Sequence, residues 1–261
     1  MKYISNDVVS SYCDEAVVPS VMNLCALIRE YPFLLRPFRR MNEEVRDILS
    51  TAGFQLYPTV KKTTLFYEQA TDSFFKIIHP LTIKHRIFSI FTNKAGSLYR
   101  LSLDLRAQGI KVPGVTAYGI FKRAKKPFLA MKRIEGESLL DIIRNEKRHV
   151  RTVLYLKVME EVARFHSVGY WFGDAQLAHI FVDDSGVSGF IDMDSIRKNR
   201  LFRPKNLAKD LAGIFHPELL RLITEEEKMA MINCYLGNIN IKKKEKFLRL
   251  FTYYSARRWK K

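Results

Sequence analysis

Apolar and polar positions change their spacing several times along the chain, and each change marks an element. Val21, Leu24, Cys25 and Ile28 recur at helical spacing, and Glu44, Val45 and Ile48 begin a second such pattern that stops near Gly53, so residues 1–49 read as a helical extension. From Phe54 to Ile78 the pattern becomes short strand-like runs that close on Ser73-Phe74-Phe75-Lys76-Ile77-Ile78. Lys94 to Gln108 returns to helical spacing, with Leu98, Leu101 and Leu105 on one face and Gly109 as its stop before Val112-Pro113. Phe128-Leu129-Ala130-Met131 is a buried strand, and Ile134 to Leu140 crosses into a mainly helical second part.

In that second part Leu154, Val158, Val162 and Phe165 make Val153 to His166 an amphipathic helix ending before Gly169. Ile180-Phe181-Val182 and Phe190-Ile191 then flank Asp183-Asp184-Ser185-Gly186, the turn chemistry of a tight antiparallel hairpin. The residue before the first strand of such a hairpin neighbours the residue ending the second, so Asp174 and His179 face Asp192. Thr224-Glu225-Glu226-Glu227 is a capping box opening a helix that stops near Gly237. From Lys242 to Lys261, Phe247, Leu250, Phe251 and Tyr254 share one face, and Lys242, Lys243, Lys244, Arg257, Arg258, Lys260 and Lys261 are expected to point outward.

With 261 residues and 47% hydrophobic content the chain can bury a sizeable core as one large domain or two modest lobes, which excludes general disorder. The net charge of +17 calls for an anionic partner, whether nucleotide phosphate, lipopolysaccharide, acidic membrane or nucleic acid. Cys13, Cys25 and Cys234 are widely spaced and odd in number, which suggests neither a disulfide framework nor a zinc site and fits a reducing cytoplasm. The apolar stretch Val17 to Ile28 is interrupted by Pro19 and Asn23, and Met1-Lys2 is followed by polar residues, so neither a membrane span nor a signal peptide is expected. Tyr31 to Arg40 is an apolar and basic stretch, read as an anchor packed on the domain rather than a membrane-interface segment.

The convergence of Asp174, His179 and Asp192 suits transfer of a γ-phosphoryl group, in which one carboxylate orients the attacking hydroxyl and another holds magnesium with a further ligand. Asp174 is the candidate base, and Asp192 and His179 are the candidate metal ligands, although magnesium favours oxygen over imidazole nitrogen. Singly each has an ordinary explanation as a loop carboxylate, a buried imidazole or a turn former; jointly they point to this chemistry. Lys76, embedded in an apolar strand, either directs its ammonium toward an anion or lies on an edge strand facing water.

Gly173-Asp174-Ala175-Gln176-Leu177-Ala178-His179, followed by Phe190-Ile191-Asp192-Met193-Asp194, resembles the catalytic and metal loops of protein kinases, with His179 in place of the usual Asn. Among kinase-like families it looks most like the lipopolysaccharide kinases, whose core heptose members carry a His at that spacing and whose Kdo members share an Ile-Asp-x-Asp-like loop. The resemblance covers about residues 55–215. It implies an α+β, protein-kinase-like two-lobed fold, with a β-rich N-lobe over 50–133 and a reduced, mainly helical C-lobe over 134–261. It further implies ATP and Mg2+ as cofactors and Lys76 as the residue contacting nucleotide phosphates. Asp210, in Asn206-Leu207-Ala208-Lys209-Asp210-Leu211, becomes a structural acceptor for the catalytic-loop backbone. The implied reaction is phosphorylation of a heptose or Kdo hydroxyl of the lipopolysaccharide inner core, by a cytoplasmic enzyme peripheral to the inner membrane.

Three features depart from that pattern. Gln55 to Thr64 lacks the glycines of a phosphate loop, leaving Lys61 and Lys62 to cover the phosphates. The helix acid that pairs the kinase lysine falls at Leu98, the acid Asp104 shares a face with Ser97 two turns after it, and Phe172 stands where kinases often have His. Two other readings follow: a small atypical kinase of the KEOPS type, whose loop carries Asn, and a pseudokinase binding module. No nucleic-acid-binding motif is recognised.

Overall fold

The computed structural model describes residues 1–37, 43–57, 62–79, 93–145, 151–199 and 203–259. Phe38 to Arg40, Lys61, Lys260 and Lys261 lie outside the described residues. The chain divides into two compact units, Met1–Asp104 with Pro113–Arg133, and Leu105–Val112 with Ile134–Lys261.

The first unit is built on β1 (Lys2–Ser5), β2 (Val9–Cys13), β3 (Phe54–Tyr57), β4 (Thr63–Glu68), β5 (Ser73–Ile78), β6 (Val115–Phe121) and β7 (Lys126–Lys132). They form one antiparallel sheet in the order β1-β2-β6-β7-β5-β4-β3. One face is covered by α1 (Val18–Glu30), the 3-10 turn Pro32–Leu35 and α2 (Glu43–Thr51). Val21, Leu24, Cys25 and Ile28 of α1, with Leu34, Leu35, Val45 and Leu49, share a single core with Phe66, Phe75, Ile77, Phe121 and Phe128 of the sheet. Burial of this apolar surface is what holds the helices on the strands. Leu34 and Leu35 thus pack the Tyr31–Leu35 stretch against its own unit.

Residues 1–13 correct the expectation of a wholly helical extension, because they form a hairpin whose second strand joins the sheet along β6. Val9, Ser11 and Cys13 all point inward, and a serine at the middle inward position hides the alternation that marks a strand. The Ser11 hydroxyl donates to the Tyr118 carbonyl at 2.9 Å, which makes its burial tolerable. The turn is closed by Asn6, whose side-chain oxygen accepts from the amides of Val8 and Val9 at 2.8 Å each.

Lys76 lies on an interior strand, paired with Leu65 of β4 on one side and Leu129 of β7 on the other, which removes the edge-strand reading. Its half-buried side chain alternates with Phe75 and Ile77 and therefore stands on the face away from α1 and α2. On that face α3 (Lys94–Ala107) stacks Tyr99 on Tyr118 at 4.7 Å, and Tyr118 in turn stacks on Tyr12 at 5.3 Å. Leu98 is buried. The helix stops where Gly109 takes φ +74 and the Ile110 amide donates to the Leu105 carbonyl.

The second unit contains β8 (Glu137–Ser138), α4 (Leu139–Asn145), α5 (Arg151–Ser167), β9 (Tyr170–Trp171), β10 (Ile180–Asp183), β11 (Gly186–Phe190) and β12 (Arg197–Lys198). It continues through α6 (Pro204–Ile214), α7 (Pro217–Leu220), α8 (Glu225–Gly237) and α9 (Lys244–Trp259). Helix α5 packs on α8, and α9 packs on α6. The capping box opening α8 is complete: Thr224 Oγ1 accepts from the Glu227 amide at 3.1 Å, and the Glu227 carboxylate accepts from the Thr224 amide at 2.7 Å.

His79, at the end of β5, generates a prediction. Its Nε2 meets Thr64 Oγ1 at 2.7 Å, and because that hydroxyl already donates to the Arg36 carbonyl, Nε2 must carry the proton. The buried Nδ1 then bears a lone pair with no partner among the described residues. Burial, reinforced by Lys126, holds the imidazole down at about 4, below its ordinary 6.5. The unfolded chain binds this proton more readily, so stability is lost as pH falls through that window, by on the order of 3 kcal/mol. Urea unfolding of His79→Gln should lack this component of the acid loss between pH 6.5 and 4; curves that run parallel to the parent would contradict it.

Candidate active site

The loop after α5 is shaped by what lies beneath it. Gly169 (φ +85) and Gly173 (φ +77) take left-handed conformations, and a Cβ on Gly173 would lie 2.5 Å from the Ser195 carbonyl oxygen. Between them Phe172 stacks flat on Phe165 at 4.0 Å and 7°, with Phe190 of β11 tilted against it at 5.0 Å. This aromatic floor fixes the height of the loop. Its direction is set by Asp210 of α6, which accepts hydrogen bonds from the amides of Phe172 and Gly173.

Asp210 is 1% exposed, so its charge requires a full set of donors. The third is His166 Nε2 of α5 at 3.2 Å, and His166 Nδ1 meets the Tyr235 hydroxyl of α8 at 2.7 Å. A carboxylate only accepts, so His166 Nε2 donates to Asp210 while the Tyr235 hydroxyl faces Nδ1. Burial, followed by the proximity of Asp210, pushes the Tyr235 hydroxyl well up from its ordinary range and keeps it protonated. Three helices are therefore tied to one loop by a buried polar chain.

Asp174 emerges from this support with its side chain 51% exposed. Its Oδ2 accepts from Gln176 Nε2 at 2.9 Å and its Oδ1 from Arg258 Nη2 at 2.9 Å. Leu177–His179 forms a 3-10 turn with Leu177 buried, leading into β10. The hairpin pairs Ile180 with Phe190 and Val182 with Val187, and one further bond runs from the Ile191 amide to the His179 carbonyl at 2.9 Å. Its turn is held by Asp183, which accepts from the amide and hydroxyl of Ser185; those bonds keep the Asp183 carboxyl below its usual range. This register brings His179 and Asp192 to the same end of the hairpin.

Asp192 adopts a left-handed conformation (φ 59, ψ 51), from which its carbonyl accepts from the Ser195 amide and hydroxyl. His179 Nδ1 lies 3.3 Å from the Asp174 carbonyl. A carbonyl can only accept, so Nδ1 donates to the Asp174 carbonyl and that bond ties the ring to the loop. Among the described residues no group of three or more His, Cys, Asp or Glu gathers to hold an ion. His179 and Asp192, at the same end of the hairpin, are the nitrogen and oxygen donors that could hold a divalent ion there.

Asp174, His179, Asp192 and Asp210 all belong to the second unit, and Lys76 belongs to the sheet of the first. Arg258 corrects the expectation that the basic residues of the last helix all face outward: it is 27% exposed and bonds Asp174. The signal was the spacing, since Phe247, Phe251, Tyr254 and Arg258 recur at four, three and four residues and share a face. His166 directly follows Phe165 of the apolar stripe of α5, and nothing in its spacing marks it as a partner of Asp210.

No protein-family model matches the chain, and no curated protein matches it in sequence. Solved structures do. A 2.2 Å crystal structure of WbdD is 14% identical over 78% of this chain and 50% of its own, with a TM-score of 0.50. A medium-resolution structure described as the bifunctional kinase-methyltransferase WbdD is 13% identical over 75% of this chain and 48% of its own, at 0.49. Vaccinia related kinase 3 is 12% identical over 78% of this chain and 86% of its own, at 0.42. The chain spans about half the length of the WbdD structures it matches. The fold is α+β and protein-kinase-like, an antiparallel sheet unit followed by a mainly helical one.

Removing the buried acceptor should loosen the loop. Asp210→Ala leaves two amides and His166 without their acceptor, and chemical denaturation should register a loss of roughly 3–5 kcal/mol. A loss below about 1 kcal/mol would show that the loop does not depend on this carboxylate.

Proposed function

We propose that this protein is an ATP-dependent phosphotransferase with an alcohol acceptor. The observation that carries the reading is the presentation of Asp174 on a loop anchored by Asp210, beside a hairpin that ends in His179 and Asp192, on a protein-kinase-like fold. Asp174 orients the attacking hydroxyl, Lys76 holds nucleotide phosphates, and His179 with Asp192 binds Mg2+ or a similar divalent ion. When bound, that ion supplies positive charge to the phosphate oxygens.

For the acceptor we propose a heptose or Kdo hydroxyl of the lipopolysaccharide inner core, reached from the cytoplasm at the inner-membrane surface. The motif carrying His179 supports this choice. So does an open cleft at the start of α9 lined by Ile241, Lys242, Lys243, Lys244, Lys246 and Arg249 beside Glu245, a setting for an anionic glycolipid. Among the described residues no helix is long and apolar enough to cross a membrane. A second reading, a nucleotide-binding pseudokinase, draws on the burial of Leu98 where the helix acid is expected.

Incubation with Mg-ATP and rough-core oligosaccharide separates the readings. Asp174→Asn should retain nucleotide binding and lower phosphate transfer by about 100-fold or more. Nucleotide binding with no transfer by the parent protein favours the pseudokinase, transfer unchanged in the variant removes Asp174 from its role, and tighter binding of tRNA than of lipopolysaccharide at physiological salt favours the KEOPS-type kinase.

A further inference from the structure

The segment joining Asp174 to His179 is Ala175-Gln176-Leu177-Ala178, which contains no lysine or arginine. The cation beside the Asp174 carboxylate comes instead from the last turn of α9, 84 residues further along the chain. Helix α9 is docked on α6 by its apolar face: Phe247 and Phe251 are buried, and Phe251 meets Phe215 edge-on at 5.3 Å. Continuing that face by one turn beyond Tyr254 directs Arg258 inward.

The arrival of Arg258 is accommodated on three sides. Its Nη2 donates to Asp174 Oδ1 at 2.9 Å and to the Ala175 carbonyl at 3.0 Å. Trp259 packs its ring 5.3 Å from the guanidinium and donates from Nε1 to the Ala212 carbonyl at 2.9 Å, which fixes the end of the helix. Gly213 of α6 leaves the space: a Cβ there would lie 3.1 Å from Arg258 Cζ and 2.2 Å from the Ala175 carbonyl oxygen. A surface arginine pairing by chance needs none of this.

We infer that Arg258 is a positioning residue for Asp174, so that the C-terminal helix is part of the catalytic centre. The inference rests on the phosphotransfer reading above. In that reaction the acceptor oxygen forms a bond to the γ-phosphorus, the bond from that phosphorus to the β,γ-bridging oxygen breaks, ADP departs with the electron pair, and the hydroxyl proton passes toward Asp174. Asp174 serves only if one oxygen is aimed at the hydroxyl. Gln176 holds Oδ2 and Arg258 holds Oδ1, and each oxygen keeps a lone pair for the acceptor because a carboxylate offers about four sites. Without the guanidinium the carboxylate turns on its bond, and misplacement on the scale of 1 Å at a reacting group costs about 100-fold. A planar guanidinium bridging a carboxylate and a carbonyl is not replaced in full by an ammonium.

Steady-state transfer from Mg-ATP to rough-core oligosaccharide tests this in the full chain, with thermal unfolding measured alongside. Arg258→Ala should lower kcat by roughly 10- to 100-fold while leaving the KM for ATP within about 3-fold. Arg258→Lys should recover part of the loss, and added guanidinium ion should raise the rate of Arg258→Ala without raising that of Asp174→Asn. The double variant should be no slower than Asp174→Asn alone, because the two residues act as one unit. Asn6→Ala, which loses the bonds closing the β1–β2 turn and touches nothing in the second unit, should melt lower and retain kcat. Parent-like kcat in Arg258→Ala, multiplied losses in the double variant, or an equal fall in kcat for Asn6→Ala would each overturn the inference while leaving the phosphotransferase reading in place. A parent protein that binds Mg-ATP and transfers nothing would overturn both.

Discussion

Asp210 lies in the interior of the second unit and accepts hydrogen bonds from two loop amides and from His166, which is itself held by Tyr235. A carboxylate in that position is tolerable only because every donor around it is in place. The dependence runs both ways. The loop amides have no strand partners and would be stranded without the carboxylate, and the carboxylate would be expelled without them. Helices α5, α6 and α8 are joined at this point, so the backbone that carries Asp174 is fixed by packing some distance from the exposed carboxylate itself.

The aromatic floor adds shape to this electrostatic tie. Phe165, Phe172 and Phe190 come from α5, the loop and β11, and their mutual contacts align the helix, the loop and the hairpin on one another. Phe172 occupies the place where a kinase-like pattern leads one to expect histidine, and His166 from the preceding helix supplies an imidazole to Asp210 instead. Gly173 and Gly213 serve the same end by letting backbone pass where a Cβ would strike a carbonyl oxygen.

Features with local causes were legible in the sequence. The β10–β11 hairpin follows from its turn residues and the apolar runs around them, the α8 start from its capping box, and α3 from its leucine spacing and Gly109 stop. Features created by distant packing were not. The β1–β2 hairpin was hidden because Ser11 fills an inward position and is satisfied by a carbonyl 107 residues away in the chain. Arg258 was hidden because a basic residue near a helix end is ordinarily solvated, and only the docking of α9 on α6 turns that side inward. The acceptor role of Asp210 was anticipated from the family pattern, whereas its partnership with His166 and Tyr235 depends on how three helices meet.

Calorimetric titration with ATP, in the presence and absence of Mg2+ or Mn2+, tests most directly whether the end of this hairpin is a nucleotide–metal site. The account predicts that the parent protein binds ATP with a strong dependence on the divalent ion and that Asp192→Ala abolishes that dependence, because the variant removes the carboxylate oxygen of the pair. ATP binding that is equally tight in EDTA, or a divalent-ion dependence unchanged in Asp192→Ala, would contradict it.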